Sequence, residues 1–174
     1  MIDLETGQFI KTKKVVLDQD KNGVIKSPIK RIKTINFIIP REIISTMKGL
    51  DRSFKLVEFS IFLNSQFDKQ KEKFVIDEES LFIPEQEVSR THIDYLEDGF
   101  NFNTVIHKHP CGCREFSNVD EEYINGNFQF SFLWVDGKIE KGISNLNVSE
   151  GIFLEVPIQS IEIQDKIEFP DIAK

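Results

Sequence analysis

The stretch "KLVEFSIFL", residues 55–63, alternates without a break. Val57, Phe59, Ile61 and Leu63 fall on one face of an extended strand, and Glu58, Ser60 and Phe62 on the other. Comparable short apolar runs recur along the chain, separated by turn residues, and they read as strands. None of these runs approaches the roughly 20 apolar residues that cross a bilayer. Phe occurs 16 times against one Trp and two Tyr, so the core is expected to be rich in phenyl rings.

Residues 1–39 read as two or three strands through "KVVL", "GVI" and "INFII". Within them "DQDKNG" places Asp18, Asp20, Asn22 and Gly23 at positions 1, 3, 5 and 6 of a calcium loop. The twelfth position, where a bidentate Glu belongs, is Ile29, so a hairpin turn at Asn22-Gly23 is the better reading. "PREIISTMKG", 40–49, predicts a short amphipathic helix with Pro40 at its start, Ile43, Ile44 and Met47 on one face, and Gly49 as its stop. A strand is expected over 54–67, its hairpin partner over 72–84, and an acidic loop with at most a helical turn over 85–99. A strand over 102–109 follows, then a helix over 117–126 and a hairpin through Asp136-Gly137. The last strand is expected to break at Pro157. The sum is one α+β domain with a mixed or antiparallel sheet and two short helices.

With 22 basic and 29 acidic residues the formal charge is −7, which argues against nucleic acid or an anionic membrane as partner. The basic run "KSPIKRIK", 26–33, reads as a solubilising face on a strand edge. The start "MIDLETGQF" has neither a basic nor an apolar leader segment, and a cytoplasmic location is expected. Cys111 and Cys113 are the two cysteines, one residue apart, which excludes a disulfide framework.

The chemistry concentrates in "HKHPCGCREFSNVD", 107–120. His107 and His109 close a strand and leave it on the same face, as two ligands of one ion must. Neutral imidazoles are zinc donors, a carboxylate supplies a third, and one position stays open for water. Asp120 follows His109 by eleven residues, in the first turn of the expected helix. Taken singly, an H-x-H pair is a weak sign, and Ser117 to Asp120 also fits a helix-capping signature.

Taken together, His107-x-His109, seven residues, then Ser117-x-x-Asp120 resembles the JAMM signature of the MPN-domain metalloproteases, H-x-H-x7-S-x2-D. That family also carries an upstream Glu on a strand after its first helix, and Glu58 holds the matching place. The resemblance spans roughly 36–148. It implies an MPN-like (cytidine-deaminase-like) domain over 36–148, with a β-rich N-terminal extension at 1–35 and a C-terminal strand extension at 149–174.

The resemblance further implies Zn²⁺ held by His107, His109 and Asp120, Glu58 as general base and Ser117 as oxyanion stabiliser. The reaction implied is hydrolysis of a peptide or isopeptide bond at the C-terminus of a ubiquitin-like or carrier protein. Three departures stand out. Lys108 replaces the usual Ser or Thr between the histidines, Phe59, Ser60 and Ile61 replace the small residues after the Glu, and two cysteines lie beside the site. The cysteines are soft ligands able to compete for zinc; we read them as loop residues without a role. Scaffold members of the family without the metal set, virion or tail-assembly components, and a DNA-repair-associated JAB-like branch are the alternatives.

Overall fold

The computed structural model describes residues 18–19, 25–26, 35–96, 101–110, 112–117, 127–149 and 152–165. Among them, β1 (Asp18–Gln19) and β2 (Ile25–Lys26) form a small antiparallel pair. Strands flank the former calcium-like stretch, as in a hairpin and unlike a helix-flanked calcium loop; the turn itself, 20–24, lies outside the described residues.

β3 (Ile35–Pro40) leads directly into α1 (Arg41–Ser53). Ile43, Ile44 and Met47 bury one stripe of the helix, at the spacing that puts side chains on one face. Gly49 does not end it. The helix continues to Ser53 and closes where the Phe54 N–H donates to the Leu50 carbonyl at 2.8 Å. Glycine inside a helix costs about 1 kcal/mol, and Leu50, packed against the core just beyond it, offsets that cost.

β4 (Phe59–Asp68) and β5 (Lys73–Phe82) are the expected antiparallel hairpin. The strand begins at Phe59 and not at residue 54, because 54–57 form a turn off the end of α1. Residues 85–99, expected as a loop, contain a second small hairpin, β6 (Gln86–Val88) with β7 (Ile93–Tyr95). β8 (Thr104–Lys108) is buried along its whole length. β9 (Phe130–Val135) and β10 (Lys138–Ser149) turn through Asp136-Gly137, both at positive φ.

β11 (Ile152–Gln164) runs through Pro157 without breaking. A register shift between Ile158 and Ser160 in its pairing with β3 lies beside the proline, and a bulge of that kind is where a strand tolerates a missing N–H.

Seven of these strands close into a barrel in the order β10-β11-β3-β5-β4-β8-β9. The sheet is mixed: β11/β3, β3/β5 and β8/β9 run parallel, and the other pairs antiparallel. The expected mixed sheet is present, and so is the first of the two expected short helices. Among the described residues the fold is mostly sheet with one α-helix, and most of the second expected helix, 118–126, lies outside them.

Two apolar clusters occupy opposite faces of β4, β8 and β9. The first gathers Phe59, Ile61, Ile106, Phe132 and Trp134 with Phe37, Phe74 and the buried stripe of α1. Phe37 lies at its centre, 4.7 Å from Phe130 and 5.0 Å from Phe132 in edge-on contacts, the geometry that ring quadrupoles favour. The second gathers Phe62, Val105, Phe116, Phe128, Leu133 and Val135. The candidate site sits at the end of this second face.

Candidate metal centre

Three neighbouring strands build the site. β4 pairs with β8 so that Ser60 lies opposite His107 and Phe59 opposite Lys108. β8 pairs in parallel with β9, setting His107 opposite Leu133 and Lys108 opposite Trp134. The His109 N–H then donates to the Trp134 carbonyl at 3.0 Å, which continues the ladder one residue past the strand. Alternation along this segment puts His107 and His109 on one face and Lys108 on the other. Both imidazoles are 2% exposed, with ring centroids 4.7 Å apart and planes at 84°.

Glu58 joins them. It precedes β4, is half-buried, and is tied to the second small hairpin through its N–H, which donates to the Ser89 carbonyl at 2.8 Å. Donor atoms of Glu58, His107 and His109 all lie within 4.8 Å of one another. Among the described residues these are the three side chains so grouped. Two imidazoles and a carboxylate form a nitrogen and oxygen donor set that fits zinc.

A buried relay orients His107. The Tyr95 hydroxyl donates to Ser60 Oγ at 2.7 Å, and Ser60 Oγ lies 3.0 Å from His107 Nδ1. Gln86 grips the backbone of Ser60 on both sides, accepting from its N–H at 2.9 Å and donating to its carbonyl at 3.0 Å. If Nε2 faces a metal, Nδ1 carries the ring proton and donates to Ser60 Oγ, whose two lone pairs then accept from Tyr95 and His107. In the sequence Ser60 shows as a face-mate of Glu58 in the alternating strand and as one of the departures after the Glu, with no sign of this contact. Gln86 and Tyr95 carried no sequence signal, because their three-residue strands are too short to alternate visibly.

Of the other residues singled out, Ser117 is exposed, directly after the buried Phe116. Asp120 and Cys111 lie outside the described residues. Cys113 is exposed and its thiol faces the Glu115 carbonyl at 3.7 Å.

No family model and no curated protein matches the sequence. Solved structures do. One, described as JAMM, a metalloprotease-like zinc site in the proteasome and signalosome, is 16% identical with a TM-score of 0.42, over 75% of this chain and 100% of that one. Another is a JAB1/MPN domain protein from Archaeoglobus fulgidus, 16% identical with a TM-score of 0.42, over 74% of this chain and 98% of its own. These neighbours are JAMM and MPN-domain proteins. The likeness is too loose to carry chemistry. What bears on a JAMM-type site is the spacing of the motif in the chain and the gathering of Glu58 with the two histidines. No helix among the described residues is long and apolar enough to cross a membrane.

Proposed function

We propose that the protein is a zinc-dependent hydrolase of the JAMM type that cleaves a peptide or isopeptide bond at the C-terminus of a ubiquitin-like or carrier protein. The observation that carries this reading is the convergence of Glu58, from the segment just before β4, on the buried His107–His109 pair. Nothing in local sequence spacing requires that convergence, and the JAMM pattern calls for it.

In this reading His107, His109 and Asp120 hold the zinc. When bound, zinc polarises the scissile carbonyl and makes hydroxide available at neutral pH. Glu58 takes the proton of the attacking water and returns it to the departing amine, so one carboxylate serves as base and then as acid. Ser117 donates a hydrogen bond to the carbonyl oxygen as charge develops there. Ser60 and Tyr95 keep His107 in one tautomer and one orientation. The buried histidine face excludes bulk water from one side of the reacting group, which strengthens each of these interactions.

The test is cleavage of a ubiquitin-like carrier fused through its C-terminus to a reporter peptide, and of the same carrier joined to lysine. Zinc-loaded protein should release the carrier, and a chelator should stop it. Glu58→Gln should remain folded, still fill with zinc at micromolar concentrations, and turn over at least about 10²-fold more slowly. Near-normal hydrolysis by that variant would place the base elsewhere. A zinc-loaded protein inert toward both linkages would favour a scaffold role.

A further inference from the structure

We infer that Lys108 is a positioning residue whose ammonium locks the 54–57 turn and thereby holds Glu58 against the His107–His109 pair. The inference rests on the metal reading above.

Lysine is almost never fully buried unless its charge is met, and Lys108 is 2% exposed. Its three N–H donors are all spent on backbone. Nζ donates to the carbonyls of Phe54 at 2.8 Å, Lys55 at 2.9 Å and Val57 at 2.8 Å. Asp51 Oδ1, on the last turns of α1, stands 3.5 Å away as counter-charge. The Phe59 ring lies below the ammonium, 5.7 Å from Nζ to its centroid. The Phe54 and Lys55 carbonyls follow the C-terminus of α1, where the helix presents partial negative charge and favours a cation.

The turn that Lys108 holds is the one that delivers Glu58. The Val57 carbonyl is fixed by the ammonium and the Glu58 N–H by Ser89, so the peptide plane that enters the Glu58 Cα is pinned at both its polar atoms before the carboxylate is aimed. Lys108 itself stands between the two candidate ligands, and alternation sends its side chain to the opposite face. One tripeptide therefore carries both imidazoles on one side and, on the other, the brace for the carboxylate that faces them. A Ser or Thr at this position is too short to reach those carbonyls.

Lys108→Met keeps the length of the stem and removes the donors. In the metal-free protein, amide exchange across 55–59 should accelerate about tenfold while β8 and β9 keep their protection. Binding of Co²⁺, followed by its visible absorption, should weaken about tenfold in Lys108→Met and by a similar factor in Glu58→Gln. The double variant should be no weaker than the weaker single, because Lys108 acts through Glu58. Losses that multiply in the double variant, or unchanged exchange across 55–59, would overturn the inference. If Lys108→Met does not fold, Asp51→Asn loosens the ammonium while leaving its carbonyl partners, and the same cycle with Glu58→Gln should give a smaller loss of the same non-additive form. Folded native protein that takes up no Co²⁺ would sink the metal reading instead, and the exchange rates alone would then decide whether Lys108 braces the turn.

Discussion

The Ser60 hydroxyl lies 3.0 Å from Nδ1 of His107, with both side chains buried and on adjacent strands. A metal-binding imidazole needs its second nitrogen engaged, since that contact fixes tautomer and ring orientation together. Ser60→Ala removes the contact and leaves the Tyr95 hydroxyl facing a methyl group. We expect a folded protein whose zinc affinity falls about tenfold, the low end for losing such a partner. Competition against a chelating dye measures it. An unchanged affinity would mean that packing alone orients the ring.

One equivalent of zinc per chain is expected in protein reconstituted after chelation, read by elemental analysis. His107→Ala and His109→Ala should each lose it, and Asp120→Ala should as well. Replacing Cys111 and Cys113 together by Ser should leave the metal in place. A cysteine pair that strips the zinc, with Asp120→Ala retaining it, would reassign the ligands.

Ser117 has two candidate roles that predict different losses. As a helix cap its removal costs about 1 kcal/mol. As an oxyanion donor it costs roughly 10²–10³ in turnover. We expect Ser117→Ala to lose turnover by at least about 10²-fold, with its Tm lowered by a few degrees at most. Full turnover with a depressed Tm would leave only the cap.

How far these roles could be read in advance varied with the physics behind each residue. His107 and His109 were legible because strand alternation has a fixed period, and two imidazoles two residues apart must share a face. Glu58 was legible by order alone, and placing it within a strand over 54–67 missed the turn that aims it. That turn exists because α1 runs four residues past Gly49, a tertiary effect of Leu50 packing that no local propensity signals. Lys108 showed only as a departure from a motif. Its burial depends on three carbonyls some fifty residues earlier, and no periodicity connects the two segments. Barrel closure by β11 was hidden for a similar reason: Pro157 reads as a break until a neighbouring bulge is seen to absorb it.

The barrel wall makes a separate stability prediction at Gly142. A Cβ placed there would meet Phe132 Cδ1 at 2.8 Å and Ile158 Cδ1 at 2.9 Å, closer than real contacts allow. Phe132 is fully buried and packs edge-on to Phe37, so it has little room to retreat. Gly142→Ala should therefore destabilise the fold by about 1–3 kcal/mol, the usual cost of overpacking. Denaturant titration checks this, and a neutral result would mean that β10 shifts outward without penalty.

Trp134 is the one tryptophan in the chain, and it is fully buried. Its indole N–H donates to Asp51 at 3.1 Å, Asp51 faces Lys108, and the Trp134 carbonyl receives the His109 N–H. The fluorophore is thus wired by hydrogen bonds both to the brace and to a candidate ligand. Its emission reports from one known location, undiluted by any second indole. A paramagnetic ion entering between the histidines should quench it in proportion to occupancy, and slackening of the brace should shift its wavelength without quenching. The protein carries its own optical gauge of the centre, and a cuvette titration reads loading and loosening as separate signals.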